Sequence, residues 1–204
     1  MRKLFVTGIG TDVGKTIASA VLAEALLGDY WKPVQCGLVP LTDSLLVRSL
    51  LSNGVSKVHP EAYCLEHAVS PHKAAELAGI HIELAGFVLP ESQNRTLIIE
   101  GAGGLMVPLN DRDLVADLIS HLGAYVIVVT NFYLGSINHT LLTCSELKRR
   151  NIPVLGILFT GEYNKGSADI ILKQTGLKLL GSIAQEAMID KTAIRRFAEQ
   201  FRNI

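Results

Sequence analysis

Residue types suited to holding a phosphate chain crowd into Gly8-Ile9-Gly10-Thr11-Asp12-Val13-Gly14-Lys15-Thr16. The stretch lies between a short apolar run, Leu4-Phe5-Val6, and an apolar helical pattern over 17–27. A glycine-rich turn from a strand into a helix aims successive backbone N–H groups at one point. The helix N-terminus adds partial positive charge there, and Lys15 adds a full one. The Thr16 hydroxyl falls where Mg2+ would be held beside such a chain. The common phosphate-loop motif, G-x-x-x-x-G-K-[ST], would put its first glycine at position 9. Ile9 stands there instead, flanked by Gly8 and Gly10, so the loop is a variant.

A second cation and two carboxylates follow where strands are expected to end. Lys32 opens Lys32-Pro33-Val34-Gln35-Cys36-Gly37. It is either a solvated edge residue or a second ammonium able to hold an anion beyond the reach of Lys15. Asp43 starts a helical pattern, as its N-cap or as a carboxylate for Mg2+ or a substrate amine. Glu100 closes the buried run Leu97-Ile98-Ile99 and is followed by Gly101-Ala102-Gly103-Gly104, small residues that let a ligand approach the backbone. A carboxylate there fits the acidic partner that phosphate-loop proteins place near Mg2+, and with Thr16 and Asp43 it offers the oxygen ligands that ion prefers. Ser136 or Asn138 either caps a helix or sits at a helix start that binds a carboxylate. Ser70-Pro71-His72 reads as a capped helix start with proline in the first turn.

The elements that must position these groups alternate. Apolar runs at 4–7, 31–34, 97–99, 125–130, 154–159 and 179–183 read as strands, and helical patterns fall at 17–27, 43–51 and 138–149. Leu114, Val115, Leu118, Ile119 and Leu122 share one helix face, Lys148-Arg149-Arg150 suits a helix C-terminus, and Asp190 can cap a last helix presenting Ile194, Phe197 and Phe201. The alternation predicts an α/β fold, a doubly wound and mostly parallel sheet of the P-loop NTPase type, in one domain over 1–204. The least regular stretch, 53–70, reads as a surface excursion. Ligands of such sheets gather at the carboxyl ends of the strands, where all of these residues lie.

Other classes are disfavoured. Lysine plus arginine and aspartate plus glutamate number 19 each, which gives no electrostatic footprint for nucleic acid or a membrane surface. No apolar run is long enough to span a bilayer, and the one at the start breaks at Thr7-Gly8, too short for a signal peptide. Cys36, Cys64 and Cys144 show no pairing or metal-ligand spacing, so a reducing cytoplasm is expected. There is no N-K-x-D of a guanine-specific GTPase, no G-x-S-x-G elbow, and no H-x-x-x-H for zinc.

In order and combination, these pieces resemble the dethiobiotin synthase family. The carrying residues are 8–16, Lys32-Pro33-Val34-Gln35 with Gly37, Ser70-Pro71-His72, 100–104, and Gly135-Ser136-Ile137-Asn138-His139. The displaced early glycine is the family's own form of the loop. The resemblance implies ATP-dependent capture of CO2 by 7,8-diaminononanoate as a carbamate, phosphorylation of that carbamate, and closure of a cyclic urea. It implies Lys15, Lys32 and Thr11 as catalytic residues, and Thr16, Asp43 and Glu100 as the Mg2+ shell. Nucleotide contacts would fall on Asp12, Val13, Gly14, Lys15, Thr16, Ile17, Asp43, Glu100, Gly101, Ala102 and Gly103, with Thr160, Gly161 and Ala184 on the base side. Cys36, Gly104 and Asn138 would meet the substrate, and the enzyme would be a homodimer with its site near the subunit interface.

Three positions depart from the family. Cys36 replaces a serine or threonine, Thr160 an asparagine that reads adenine, and Ala184 a proline. The last two predict relaxed nucleotide selectivity. Two other readings stay open: a different P-loop synthetase of the cobyrinate amidase type, and a MinD-like ATPase switch. The first needs a glutaminase domain for which 204 residues leave no space; the second often carries an early loop lysine where this chain has Gly8-Ile9-Gly10.

Overall fold

Alternate residues of a strand face opposite sides, and in this chain both sides are apolar. Leu4, Val6, Ile98, Ile127, Val129 and Leu158 pack into one core layer, and Phe5, Leu97, Ile99, Val126, Val128 and Phe159 into the other. A sheet apolar on both faces must be covered by helices on both. The computed structural model, which describes residues 1–204, has that architecture. Its strands are β1 (Arg2–Gly8), β2 (Asp29–Trp31), β3 (Val34–Cys36), β4 (Tyr63–Leu65), β5 (Thr96–Gly104), β6 (Tyr125–Thr130), β7 (Val154–Thr160) and β8 (Leu179–Ile183). Its helices are α1 (Lys15–Leu26), α2 (Asp43–Leu50), α3 (Pro71–Leu77), α4 (Val115–Leu122), α5 (Ser136–Arg149), α6 (Lys165–Thr175) and α7 (Lys191–Ala198).

Six strands form one parallel sheet in the order β2-β5-β1-β6-β7-β8, and β3 and β4 form a separate parallel pair. Helices α1, α2 and α7 cover one face through Leu22, Val47 and Ile194; α4, α5 and α6 cover the other through Ile119, Leu147 and Ile171. The expected doubly wound parallel sheet is therefore present. From central β1 the chain winds outward to β2, returns through β5, and crosses to build β6 to β8 on the other side. That reversal opens a crevice beyond the carboxyl ends of β1 and β5.

Three local departures have physical causes. The expected strand 31–34 is two strands in two ladders, because Pro33 has no N–H to continue the first. Its carbonyl instead accepts from the N–H groups of Ala62 and Tyr63, 3.0 Å each, drawing the chain toward β4. The 53–70 excursion thus contains a strand and is pinned to β2. Buried Asp29 accepts from Lys57 N at 2.8 Å and Asn94 Nδ2 at 2.6 Å, and lies 2.8 Å from His59 Nε2. Helix α6 matches none of the expected patterns; only Ala168 and Ile171 of it are buried, and it starts where Asn164 accepts from Ser167 N at 2.9 Å.

Caps shift as well. Asp190 does cap α7, accepting from Ala193 N at 2.8 Å. Asp43 does not cap α2: Thr42 does, through Leu45 N at 3.3 Å, which leaves the Asp43 carboxylate in the first turn for other partners. Neither Ser136 nor Asn138 caps α5, whose cap is Gly135 at φ 104°. Ser70 precedes Pro71 as expected but makes no capping bond with its side chain.

Candidate active site

The loop between β1 and α1 explains its own glycines. A Cβ at Gly8 would lie 2.5 Å from Val13 Cγ2 and 2.8 Å from the Gly10 carbonyl, because the loop folds back over position 8. Glycine is required there, and isoleucine is tolerated one residue later. Asp12 and Gly14 adopt left-handed backbone, φ 57° and 87°, on either side of Val13. Such alternation makes a concave nest of N–H groups that suits an anion. Thr160, at the end of β7, braces the loop from beneath: its hydroxyl donates to the Val13 carbonyl at 2.8 Å.

Lys15, at the start of α1, is 7% exposed and donates to the Gly10 carbonyl at 2.8 Å. Burial pushes its pKa below the ordinary lysine value; Glu100 and Asp43 pull upward but do not restore it. Its ammonium touches no carboxylate.

Lys32 is in the opposite situation. It follows β2 where Pro33 turns the chain, and it is 5% exposed, so the edge-residue reading fails. Its Nζ lies 2.5 Å from Asp43 Oδ2 and 3.0 Å from Glu100 Oε1. Burial works against its charge, but the two carboxylates outweigh it and hold its pKa above the ordinary value.

Glu100, 1% exposed on β5, accepts from the Thr16 hydroxyl at 2.9 Å through Oε1 and from the Tyr30 phenol at 2.8 Å through Oε2. Thr16 Oγ1 also lies 3.1 Å from Asp43 Oδ1. With one proton, that hydroxyl donates to only one carboxylate at a time. Gln35 fixes the approach of Asp43: its Oε1 accepts from Asp43 N at 3.1 Å, and its Nε2 donates to the Cys36 and Gly37 carbonyls. The three oxygen-bearing side chains from α1, α2 and β5 therefore converge on one point, a donor set matched to a hard divalent cation.

These groups line one side of a cavity of about 630 Å³. Thr11, Asp12, Gly14, Lys15, Thr16, Ile17, Lys32, Cys36, Asp43, Glu100, Ala102 and Gly103 all border it. Val34, Ala68, Val69, Pro71 and Val107 give the same cavity an apolar part of its wall. Burial pushes the Cys36 thiol up to about 11, so it stays protonated there.

Other expected site residues lie elsewhere. Val13 is buried and contributes its carbonyl to the Thr160 brace. A Cβ at Gly101 would meet the Phe5 ring at 2.8 Å, so that position faces the core, and Gly104 backs onto Gly8 and Gly10. Gly161, whose N–H donates to the Ile183 carbonyl at 2.9 Å, sits with Ala184 at the ends of β7 and β8, off the cavity wall. Asn138 is exposed on α5 and does not border the cavity. The sequence reading passed over Tyr30, although strand alternation puts it on the same side as Lys32.

A phosphate-loop turn ending in Lys-Thr, set beside a buried acidic residue on a doubly wound parallel sheet, defines a P-loop nucleoside-triphosphate-binding protein. Comparison with known proteins agrees. Residues 2–193 match the family model described as an AAA domain. The chain is 57% identical to the ATP-dependent dethiobiotin synthetase BioD of Cytophaga hutchinsonii, over 97% of this chain and 96% of that protein. It is 46% identical to the protein of the same name from Christiangramia forsetii, over 98% and 96%. The chain belongs to the ATP-dependent dethiobiotin synthetase family. Among solved structures it resembles MinD of Pyrococcus horikoshii complexed with Mg-ADP, with TM-score 0.58 and 14% identity over 99% of this chain and 96% of that one. It also resembles a ParA family ATPase from Chlorobium tepidum, with TM-score 0.52 and 15% identity over 97% and 98%. Those two likenesses are of fold. No helix is long and apolar enough to cross a membrane.

Proposed function

We propose that this chain, acting as one domain in a cytoplasmic homodimer, makes dethiobiotin from 7,8-diaminononanoate, CO2 and ATP with Mg2+. The observation that carries the reading is the pairing, in one cavity, of a phosphate loop with a lysine–dicarboxylate cluster and an apolar wall. The wall suits a substrate whose two amines sit at the end of a methylene chain. The charged side suits the two anions that must meet, a carbamate and a γ-phosphate.

Lys15 and the loop N–H groups bind the phosphates, with Thr11 at the loop's cavity edge near the reacting group. Lys32 steadies the carbamate and its phosphorylated form. Thr16, Asp43 and Glu100 hold Mg2+, and the convergence of their oxygens is the feature that fits it. The ion, when bound, neutralises charge on the transferring phosphoryl group. Asp12, Gly14, Ile17, Ala102 and Gly103 line the nucleotide's path, while Val13 and Gly101 support it from behind. Cys36 meets the substrate as a protonated thiol, a weak donor.

Asn138 is exposed and off its own cavity, so in this reading it serves the partner's substrate carboxylate. The bare Leu134 side chain (104% exposed) and half-exposed Tyr133 beside it supply apolar surface for that interface. Three free cysteines agree with a reducing cytoplasm. Gly161 and Ala184 flank the base. The one proton of the Thr160 hydroxyl is already given to Val13, so it lacks the donor–acceptor pair with which an amide reads adenine, and selectivity among nucleotides is loose.

The test is direct. Protein, diaminononanoate, bicarbonate and MgATP are combined, and phosphate and dethiobiotin are followed together. Diamine-dependent release of both is expected; ATP hydrolysis indifferent to the diamine overturns the proposal.

A further inference from the structure

Tyr30 is buried with no exposure, yet it carries a hydroxyl that phenylalanine would spare the core. A buried hydroxyl is costly unless it is hydrogen-bonded, and this one donates to Glu100 Oε2 at 2.8 Å. The two oxygens of Glu100 therefore have separate partners: Oε2 has Tyr30, and Oε1 has Thr16 and Lys32. Tyr30 is itself held firmly. Its N–H donates to the Lys57 carbonyl at 2.8 Å, and its carbonyl accepts from His59 N at 2.9 Å. It pairs in register with Ile98, two residues before Glu100, so the phenol reaches along the neighbouring strand to the carboxylate.

We infer that Tyr30 is a positioning residue for Mg2+ binding, its phenol fixing the Glu100 carboxylate so that Oε1 faces the cation position beside Thr16. Without the phenol, the carboxylate is free to turn and offer both oxygens to Lys32 Nζ, already 3.0 Å from Oε1. The ion pair then tightens at the expense of the metal. The inference rests on the reading that Thr16, Asp43 and Glu100 hold Mg2+.

The test compares wild type, Tyr30→Phe and Trp31→Phe by titrating Mg2+ against a fluorescent ATP analogue, without diamine or bicarbonate. Trp31→Phe is the packing control: it removes the Nε1 bond to the Pro60 carbonyl at 3.0 Å from the adjacent strand position. For Tyr30→Phe the Mg2+ midpoint is expected to rise about 10- to 100-fold, the range usual for loss of a group that orients a metal ligand. Nucleotide binding in EDTA should be unchanged. For Trp31→Phe the melting temperature falls and the Mg2+ midpoint stays. In a Glu100→Gln background, Tyr30→Phe should add little, because the two act as one unit. An unmoved midpoint in Tyr30→Phe, or an equal shift in Trp31→Phe, overturns the inference and leaves the metal reading intact. Wild-type nucleotide binding indifferent to Mg2+ overturns that reading itself, and the inference with it.

Discussion

Lys15→Met should make the free protein more stable while abolishing its affinity for nucleotide. The lysine is 7% exposed, and one hydrogen bond, 2.8 Å to the Gly10 carbonyl, is the direct partner of its ammonium. Burial nonetheless lowers its pKa, with repulsion from Lys32 adding to it, and the pull of Glu100 and Asp43 the other way does not restore it. A lowered lysine pKa means that the surroundings as a whole disfavour the charge relative to water. Methionine keeps the length and apolar stem and removes the charge. The lost charge-assisted bond is worth about 1.5–3 kcal/mol, set against a burial penalty of several kcal/mol per ion. The balance favours methionine by about 1–2 kcal/mol, or roughly 2–8 °C in melting temperature for a chain of this size. The pH dependence carries the same sign. Because the folded pKa lies below the unfolded one, the unfolded chain holds more protons between the two values, and the lysine's penalty eases as pH rises through that window toward 10.5. The advantage of Lys15→Met should therefore be full at low and neutral pH and shrink in alkali. Scanning calorimetry of both proteins across pH, with and without MgATP, measures each part. A melting temperature for the variant at or below wild type in the nucleotide-free protein at neutral pH refutes the reasoning.

Lys32→Met should do the reverse: it strands two carboxylates, one of them 1% exposed, and should cost the free protein about 3 kcal/mol. Since the Lys32 pKa is raised, the stability it lends is whole below pH 10.5 and lost as pH climbs past its folded value. Thermal melts should show Mg2+ restoring part of the loss, while nucleotide still binds and turnover collapses; a variant as stable as wild type in EDTA contradicts this. Thr160→Val keeps the shape and removes the donor to the Val13 carbonyl at 2.8 Å, so nucleotide affinity should weaken by about 1 kcal/mol, read by calorimetric titration. The same engaged hydroxyl predicts that CTP and GTP replace ATP with little loss of turnover, and strict use of ATP refutes it.

What could be read from the sequence was chemistry written in contiguous residues. Gly8 to Thr16 had to form a phosphate loop because the N–H donors, the lysine and the hydroxyl are all supplied by one turn. Glu100 stood out because a carboxylate closing an apolar strand has no packing rationale. Lys32 was ambiguous because an apolar run with one lysine fits both an edge and a buried site. The structure resolves it through Pro33, whose missing N–H ends one ladder and starts another. The Tyr30–Glu100 bond joins positions 70 apart, and no local pattern records it. β4 is a three-residue strand with one buried side chain, too short to show a period. α6 buries only Ala168 and Ile171, with Leu172 partly covered, a face too short to stand out as a helical pattern in the sequence. The sequence leaves Asp43 open as cap or as carboxylate ligand, since Thr42 and Asp43 are both good caps and only the backbone, which gives the cap to Thr42, decides between them.

The two lysines of the cavity show why that chemistry divides as it does. Both are nearly buried and both face Glu100 and Asp43, yet their pKa values move in opposite directions. The difference is contact: Lys32 lies within 3.0 Å of both carboxylates, whereas Lys15 touches a backbone carbonyl. In the free protein Lys32 bridges the acidic pair and offsets one of its two charges, and Lys15 is left with a charge its surroundings do not satisfy. A phosphate chain is the partner that satisfies it, so part of the binding energy is the relief of a strain already present in the folded loop. In the proposed function, a divalent cation held by Thr16, Asp43 and Glu100 would compete with Lys32 for the same oxygens and release that ammonium toward a second anion. The metal there offsets part of the charge that the phosphates bring, and the released Lys32 ammonium supplies a cation where a carbamate must come against a phosphate.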